Sequence, residues 1–240
     1  MTTTAGPGRP RLTEPRRPGQ TAREEILDAA AELFTEKGYA ATSTRAIAES
    51  VGIRQASLYH HFSTKHEILD ALLADTVRAP QQFAERLAEH DGPATELLYT
   101  LMLFDAVHLS SGRWNLGALY LLPVIRSADF AGFRARRTEL MDAYRALALR
   151  ALDELKVPQD WAAPREALAG LPFRLVESVI NERSDNMAGA HAPLHPPRLF
   201  ADTAIRMLGY QGSVDALYET AQRLTAAITE DAGIPVAVEA

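Results

Sequence analysis

The side chains best suited to a recognition chemistry lie in residues 42–67, on two short helical patterns separated by Gly52. In the first pattern Ile47 and Val51 are four residues apart, so both lie on one helical face. Gly52 tolerates the positive φ of a tight turn between helices. An apolar-faced helix, a glycine turn and a second helix with a polar outer face are typical of a DNA-binding helix-turn-helix.

The polar face of the second pattern offers groups that recognise nucleic acids. Gln bonds bidentately to adenine, Ala contacts the thymine methyl, and hydroxyl or imidazole groups donate to phosphate oxygens. The apolar spacing alone fits an ordinary helical hairpin of an all-α protein equally well. If the segment binds DNA, we expect contacts from Thr42, Ser43, Thr44, Arg45, Arg54, Gln55, Ala56, Ser57, Tyr59, His60 and Lys65.

The continuation L-Y-H-H-F-S-T-K-H-E-I-L is more specific than the apolar spacing. Together with the preceding helix, it resembles the N-terminal domain of the TetR family of transcriptional regulators, from Thr21 to about Leu72. The family pattern is roughly T-x-x-x-I-A-x-x-x-G-V-S-x-G-x-L-Y-x-H-F-x-S-K-E-x-L. Two positions depart from it: Arg54 replaces a capping Ser and Ala56 replaces a common Gly. These departures bear on base preference, since Arg54 weakens the helix cap but adds a cation.

The resemblance implies an all-α protein with two parts. The first is an N-terminal three-helix helix-turn-helix domain, and the second is a C-terminal helical ligand-binding and dimerisation domain. The implied partner of the first part is a double-stranded DNA operator.

Charge is distributed unevenly along the chain. Residues 1–60 carry eight Lys or Arg and seven Asp or Glu, whereas residues 61–240 carry seventeen and twenty-four. The net charge of −6 is therefore concentrated in the second part, and the first two dozen residues are basic. Such an asymmetry is expected of a small DNA-binding domain joined to a larger sensor domain.

Composition excludes several classes of protein. The 240 residues contain no cysteine, so neither a disulfide framework nor a thiolate metal site is possible. No apolar run approaches the ~20 residues of a membrane-spanning helix, and the N-terminus lacks an apolar signal segment. We therefore expect a cytoplasmic protein that does not use a membrane.

Helical spacing recurs throughout the remainder of the chain. Apolar residues three and four apart predict helices over 65–90, 94–110, 113–126, 130–156, 164–188, 197–209 and 213–230. Pro123 and Pro172 lie inside two of these patterns, and we expect them to kink or end the helices. Capping boxes at Thr21 and Thr64 predict two helix starts, the second of which places Lys65 where an ammonium favours phosphate.

These signals divide the chain into four segments. We predict a disordered basic arm over 1–20, a helix-turn-helix DNA-binding domain over 21–66, a helical ligand-binding and dimerisation domain over 67–232, and a flexible tail over 233–240. The arm is either a solvated tail without function or a segment whose arginines enter the minor groove or bind phosphates.

Polar residues on otherwise apolar helical faces suggest a ligand cavity. An Arg beside aromatic residues suits a mostly apolar ligand with an anionic or carbonyl head, and Asp105 and Arg137 are candidates to pair in the empty protein. The alternative is that the polar residues satisfy one another or contact solvent. The expected ligand-binding residues are Phe104, Asp105, His108, Trp114, Tyr120, Arg137, Met141, Tyr144, Phe173, Glu177 and Asn181.

Catalytic and metal-binding motifs are absent from the sequence. It contains no nucleophile elbow, phosphate-binding loop, dinucleotide fingerprint or H-E-x-x-H motif. His60, His61 and His66 resemble a metal-ligand cluster only in spacing, because two of them fall on different predicted helices. We therefore predict no enzyme activity, no cofactor and no metal.

The C-terminal helices suggest a surface for a second copy of the chain. The helix predicted over 164–188 is apolar on two sides, and Val214 to Ile228 form an apolar stripe on the last helix. A helix with two apolar faces buries one of them against something outside its own core. A homodimer is the simplest interpretation, and a large monomeric bundle is the alternative.

The sequence therefore predicts a ligand-responsive, DNA-binding transcriptional regulator. Specifically, we expect a repressor released from a palindromic operator by a small, mostly apolar effector. The competing hypothesis is a helical small-molecule binding protein or enzyme with a vestigial helix-turn-helix. Sequence-specific binding to DNA distinguishes the two.

Overall fold

The computed structural model describes residues 17–158, 163–186 and 194–235. Within these ranges the chain is all-α, without a β-strand, as predicted. The helices are α1 (Ala22–Glu36), α2 (Thr44–Val51), α3 (Gln55–Tyr59), α4 (Lys65–Leu87), α5 (Ala94–Ser111), α6 (Ala131–Glu154), α7 (Arg165–Ala169), α8 (Leu171–Asp185), α9 (Pro197–Met207) and α10 (Val214–Ala232).

The chain divides into two compact units, Met1–Ile68 and Leu69–Ala240, called here the N-terminal unit and the helical unit. The N-terminal unit begins its first helix with the predicted capping box. The Thr21 side chain accepts a hydrogen bond from the Glu24 amide, and the Glu24 carboxylate accepts one from the Thr21 amide. These reciprocal bonds satisfy two of the helix's free amides and fix where α1 starts.

The turn of the N-terminal unit forms as the sequence predicts. Gly52 ends α2 at φ 78°, a left-handed conformation that glycine adopts without a Cβ clash. Ile47 and Leu58, on either side of this turn, are fully buried. The packing of α2 against α3 therefore leaves the opposite face of α3 at the surface.

The helical unit is built around α5, which packs against α6, α8, α9 and α10. Buried residues surround the whole circumference of α5, from Ala94 to Leu109. A helix that is apolar on all sides is stable only when it is enclosed, and this explains its central position.

The prediction of an α-helix over 113–126 is wrong. The chain instead forms three short 3-10 segments, Leu116–Leu121, Pro123–Arg126 and Ala128–Phe130. Pro123 lacks the amide that a continuous α-helix needs, so it begins a new segment. The close packing of this region against α8 requires a glycine at position 117, because a Cβ on Gly117 would lie 2.5 Å from the Ile180 side chain.

Two further boundaries differ from the sequence prediction. The single helix predicted over 164–188 is replaced, within the described residues, by two helices, α7 and α8, which meet at Gly170. Pro172 lies in the first turn of α8, where its missing amide has no helical partner, so it neither kinks nor ends the helix. Pro80, by contrast, lies inside α4.

Several predicted segments fall outside the described ranges. They include residues 1–16 of the proposed arm, the loop around His191, and residues 236–240 of the proposed tail. Arg17, at the described end of the arm, forms ion pairs with Asp28 and Glu32 on α1. In the part of the chain that is described, no helix is long and apolar enough to cross a membrane.

Candidate functional site

A polar triad lies on the surface of the N-terminal unit, formed by Thr44 of α2 with Gln55 and Tyr59 of α3. The Gln55 Nε2 donates to Thr44 Oγ1 at 3.0 Å and to the Tyr59 hydroxyl at 3.4 Å. The two hydroxyl groups of Thr44 and Tyr59 are 3.1 Å apart. These bonds hold the Gln55 side chain at the surface and use both of its amide hydrogens. A bidentate contact with adenine therefore requires Gln55 to exchange one of these partners for the base.

Other predicted DNA-contacting residues surround the triad. Arg54 precedes α3 and makes no side-chain cap, as the replacement of the usual Ser leads one to expect. Arg45 pairs with Glu49 at 2.8 Å, but both side chains remain largely exposed. The exposed members of the predicted set are Ser43, Arg45, Arg54, Gln55, Ala56, Tyr59 and His60, and the half-buried members are Thr44, Ser57 and Lys65.

Thr42 and Ser43 use their hydroxyl groups in hydrogen bonds to the backbone of the N-terminal unit. The buried Thr42 hydroxyl contacts the carbonyls of Leu33 and Gly38, each at 3.0 Å. The Ser43 hydroxyl caps α2 by accepting a hydrogen bond from the Ala46 amide at 3.1 Å. Both side chains therefore position α2.

Lys65 is also engaged within the N-terminal unit. Its ammonium donates to the carbonyls of Tyr39 and Thr42, both at 2.9 Å, and lies 4.1 Å from the centre of the Tyr39 ring. Burial lowers the pKa of the Lys65 ammonium. This cation fastens the turn after α1 to the start of α4. Sequence analysis missed this role because its acceptors are backbone carbonyls, which no residue type reveals.

In the helical unit, Asp105 and Arg137 have different partners. Asp105 is 2% exposed and accepts a hydrogen bond from the Tyr144 hydroxyl at 2.8 Å. The Arg137 guanidinium pairs with both carboxylate oxygens of Glu177, at 2.5 and 2.7 Å. The expected pair between Asp105 and Arg137 is therefore replaced by two others. Burial raises the pKa of Asp105 to about 7, against a smaller opposing effect of the Tyr144 hydrogen bond.

Several of the other predicted ligand-binding residues line one or another of three cavities in the helical unit. The largest, about 640 Å³, lies between α5 and α10 and is named here the α5–α10 cavity. Its walls include Leu103, Phe104, Val107, His108, Tyr218 and Ala226. Its volume and largely apolar walls suit a small organic molecule. Sequence reasoning missed Tyr218 as a cavity residue, because its stripe on α10 was assigned to dimerisation.

His108 lies in the wall of the α5–α10 cavity and also of a second cavity. Its Nε2 is 3.3 Å from the carbonyl oxygen of Asp75 on α4, and its ring stacks on Phe104. Burial lowers the pKa of His108, which favours the neutral imidazole. The second cavity, of about 280 Å³, is also lined by Trp114 and Arg183.

Tyr120 and Arg137 line the third cavity, of about 400 Å³. Phe173 lies beneath the Arg137 guanidinium, 5.2 Å from it, and Met141 is half-buried beside it. Asn181 is exposed on α8. The predicted ligand residues therefore belong to separate cavities and to the core. No cluster of three His, Asp or Glu within the described residues could hold a metal ion.

A helix-turn-helix unit followed by a larger helical unit with internal cavities defines a class of two-part helical regulators. Residues 26–72 match the family model described as "Bacterial regulatory proteins, tetR family". The HTH-type transcriptional repressor KstR2 of Mycobacterium tuberculosis is 51% identical over 51 residues, which are 21% of this chain and 26% of KstR2. This match thus spans about a quarter of that relative's length.

Similarity to solved structures extends over the whole fold. AmtR of Mycobacterium smegmatis is 51% identical, covers 93% of this chain and 100% of its own, and superposes with a TM-score of 0.76. PfmR, a TetR family regulator from Thermus thermophilus, shares the fold at 23% identity, covering 78% of this chain and 99% of PfmR, with a TM-score of 0.62. The chain belongs to the TetR family of bacterial transcriptional regulators.

Proposed function

We propose that this protein is a ligand-responsive repressor that binds a palindromic DNA operator as a homodimer and is released by a small, mostly apolar molecule. It acts in the cytoplasm and needs no cofactor. Residues 21–66 form the DNA-binding domain and residues 67–232 the ligand-binding and dimerisation domain, with 1–20 as a basic arm and 233–240 as a tail.

The surface triad of Thr44, Gln55 and Tyr59 carries the DNA-binding part of this proposal. A helix of this kind enters the major groove, where Gln pairs bidentately with adenine. Thr42, Ser43 and Lys65 support it indirectly, because their polar groups fix α2 and the start of α4. Two such helices in a dimer bind half-sites about one helical turn apart.

Exposed apolar residues on α8 and α9 support the homodimer. Leu171 of α8 and Leu199 of α9 are 42% and 43% exposed, and Leu175 is half-buried. The stripe on α10 is used differently, because α10 packs against α5 and buries Leu217 and Ile228 within one chain. We therefore assign the dimer surface to α8 and α9.

The α5–α10 cavity is the candidate effector site. His108 of α5 lines this cavity, and its ring contacts the Asp75 carbonyl of α4. A ligand that moves this ring would shift α4 around Asp75, within the helical unit. Release requires the ligand to bind the non-operator state better. A 100-fold loss of operator affinity corresponds to about 2.7 kcal/mol of differential binding.

A footprint over the DNA that flanks the protein's own coding region tests DNA binding. We expect two protected half-sites about one helical turn apart. Gln55→Ala should weaken the protection, whereas Arg150→Ala, at an exposed position of α6, should leave it unchanged. The absence of any protected sequence would favour the alternative, a helical small-molecule binding protein or enzyme with a vestigial helix-turn-helix.

Filling the α5–α10 cavity tests the effector site. Ala226 lines the cavity from α10, whereas the adjacent, exposed Ala227 does not. With the neutral apolar dye Nile red as probe, Ala226→Trp should abolish dye binding and Ala227→Trp should retain it. Equal dye binding by both variants would place the apolar ligand elsewhere.

A further inference from the structure

The third cavity, of about 400 Å³, is unusual in its charge. Four arginines line it, Arg126, Arg134, Arg137 and Arg174, and no carboxylate occurs among its described lining residues. The whole chain has a net charge of −6, so this concentration of cations contrasts with the rest of the protein. We call this feature the arginine cavity.

Among the described residues, one carboxylate, that of Glu177, pairs with guanidinium groups of this cavity. Glu177 pairs with Arg137 and also accepts from Arg174 at 3.1 Å. Arg134 donates to the carbonyls of Ile125 and Ser127, at 2.5 and 2.6 Å, which orients its guanidinium without neutralising it. Like charges that line one cavity repel one another, so an added anion lowers the electrostatic energy of the cavity.

Arg126 and Arg174 are more exposed to solvent than Arg134 and Arg137, so their side chains can move more freely. Both are exposed, and Arg126 forms no ion pair with any residue that the structure describes. Arg134 and Arg137 are held in place by the bonds described above. The cavity therefore combines two fixed guanidinium groups with two that can adjust to a ligand. Planar guanidinium groups suit the bidentate binding of carboxylates and phosphates.

The walls between the arginines are apolar. Leu121 is 85% exposed, the largest exposed fraction among the exposed large apolar side chains described. Tyr120 and Phe133 also line the cavity, and their ring centroids lie 5.3 Å apart. An inorganic ion would leave these surfaces in water, whereas an organic body attached to the anion would cover them.

We propose that the arginine cavity binds a small organic polyanion, with at least two negative charges from phosphate or carboxylate groups and a short apolar body. The volume of the cavity lies within the range of small-molecule sites. The cavity shares no described lining residue with the α5–α10 cavity. It is therefore a second ligand site, and it does not depend on DNA binding or on the apolar effector.

Calorimetric titration of the full-length protein tests the proposal without DNA. The probes are pyrophosphate and citrate, with sodium chloride at matched ionic strength as the blank. The wild type should bind at least one probe saturably. The double variant Arg126→Gln, Arg174→Gln should bind it about tenfold more weakly or worse, since it loses two charge-assisted contacts. Arg150→Gln, at an exposed position of α6 outside the cavity, should match the wild type.

The choice of probes distinguishes the two chemical sources of charge. Tighter binding of pyrophosphate assigns a phosphate ligand, and tighter binding of citrate assigns a polycarboxylate. Phenyl phosphate should bind more tightly than inorganic phosphate because its ring covers the apolar wall.

Three results would overturn the proposal. The first is the absence of saturable binding of both probes to the wild type, and the second is equal affinity in the wild type and the double variant. The third is a change in oligomeric state of the double variant in sedimentation, which would assign these arginines to a protein interface. None of the three bears on operator binding, so the proposed function would stand or fall separately.

Discussion

Replacement of Asp105 by Asn tests the interior of the helical unit quantitatively. Asn keeps nearly the same volume and still offers an oxygen to the Tyr144 hydroxyl, but it carries no charge. Burial raises the pKa of the Asp105 carboxyl from 3.8 to about 7; Glu177 acts in the same direction, and Tyr144 and Arg137 oppose it. The folded protein therefore binds this proton more tightly than the unfolded chain.

The sign of the pH dependence follows from this difference. The stability that protonated Asp105 contributes is complete below about pH 4 and is lost as the pH rises through about 7. Each pKa unit corresponds to about 1.4 kcal/mol. The wild type should therefore lose about 4 kcal/mol of unfolding free energy from this group, whereas Asp105→Asn should lose none of it.

Urea denaturation of both proteins between about pH 4 and about pH 8, at one fixed protein concentration, measures this difference. The variant should be close to the wild type at the acid end and clearly more stable at the alkaline end. Asp142→Asn, at an exposed position of α6, is the control and should follow the wild type throughout. Parallel stability curves for wild type and Asp105→Asn would refute the argument.

Three other substitutions test separate parts of the structure. Gln55→Ala should cost about 1–3 kcal/mol of binding to the preferred DNA site and relax one base position, measured by titration of single-base operator variants. Lys65→Ala should lower the unfolding free energy by about 1–3 kcal/mol in urea, because it leaves two carbonyls without their donor; an unchanged midpoint would contradict this. Gly117→Ala should cost about 1–3 kcal/mol through its clash with Ile180, whereas Gly92→Ala, with its nearest neighbour at 3.7 Å, should not.

The sequence predicts the N-terminal unit well because its signals are local. The capping box at Thr21 and the positive φ at Gly52 depend on residues a few positions apart. The function of Lys65 is different, since its acceptors are carbonyls 23 and 26 residues away. Helical periodicity carries no information about such contacts.

The helical unit shows the limit of periodicity more clearly. Spacing places Asp105 and Arg137 on apolar faces, but it does not tell which residue of a neighbouring helix lies opposite each. Glu177, 40 residues after Arg137, and Tyr144 fill those positions. The failure over 113–126 has two causes. One is local, because Pro123 begins a new segment as its position predicts; the other is distant in sequence, because Gly117 packs closely against Ile180 of α8.

Sequence-specific DNA binding is the central claim, and a salt titration tests it most directly. Binding to the footprinted operator and to a scrambled duplex of equal length would be compared between about 50 and 200 mM salt. We predict that affinity for both falls with salt, because phosphate contacts are lost, while the preference for the operator persists and is reduced by Gln55→Ala. Equal affinity for the two duplexes at every salt concentration would contradict the claim.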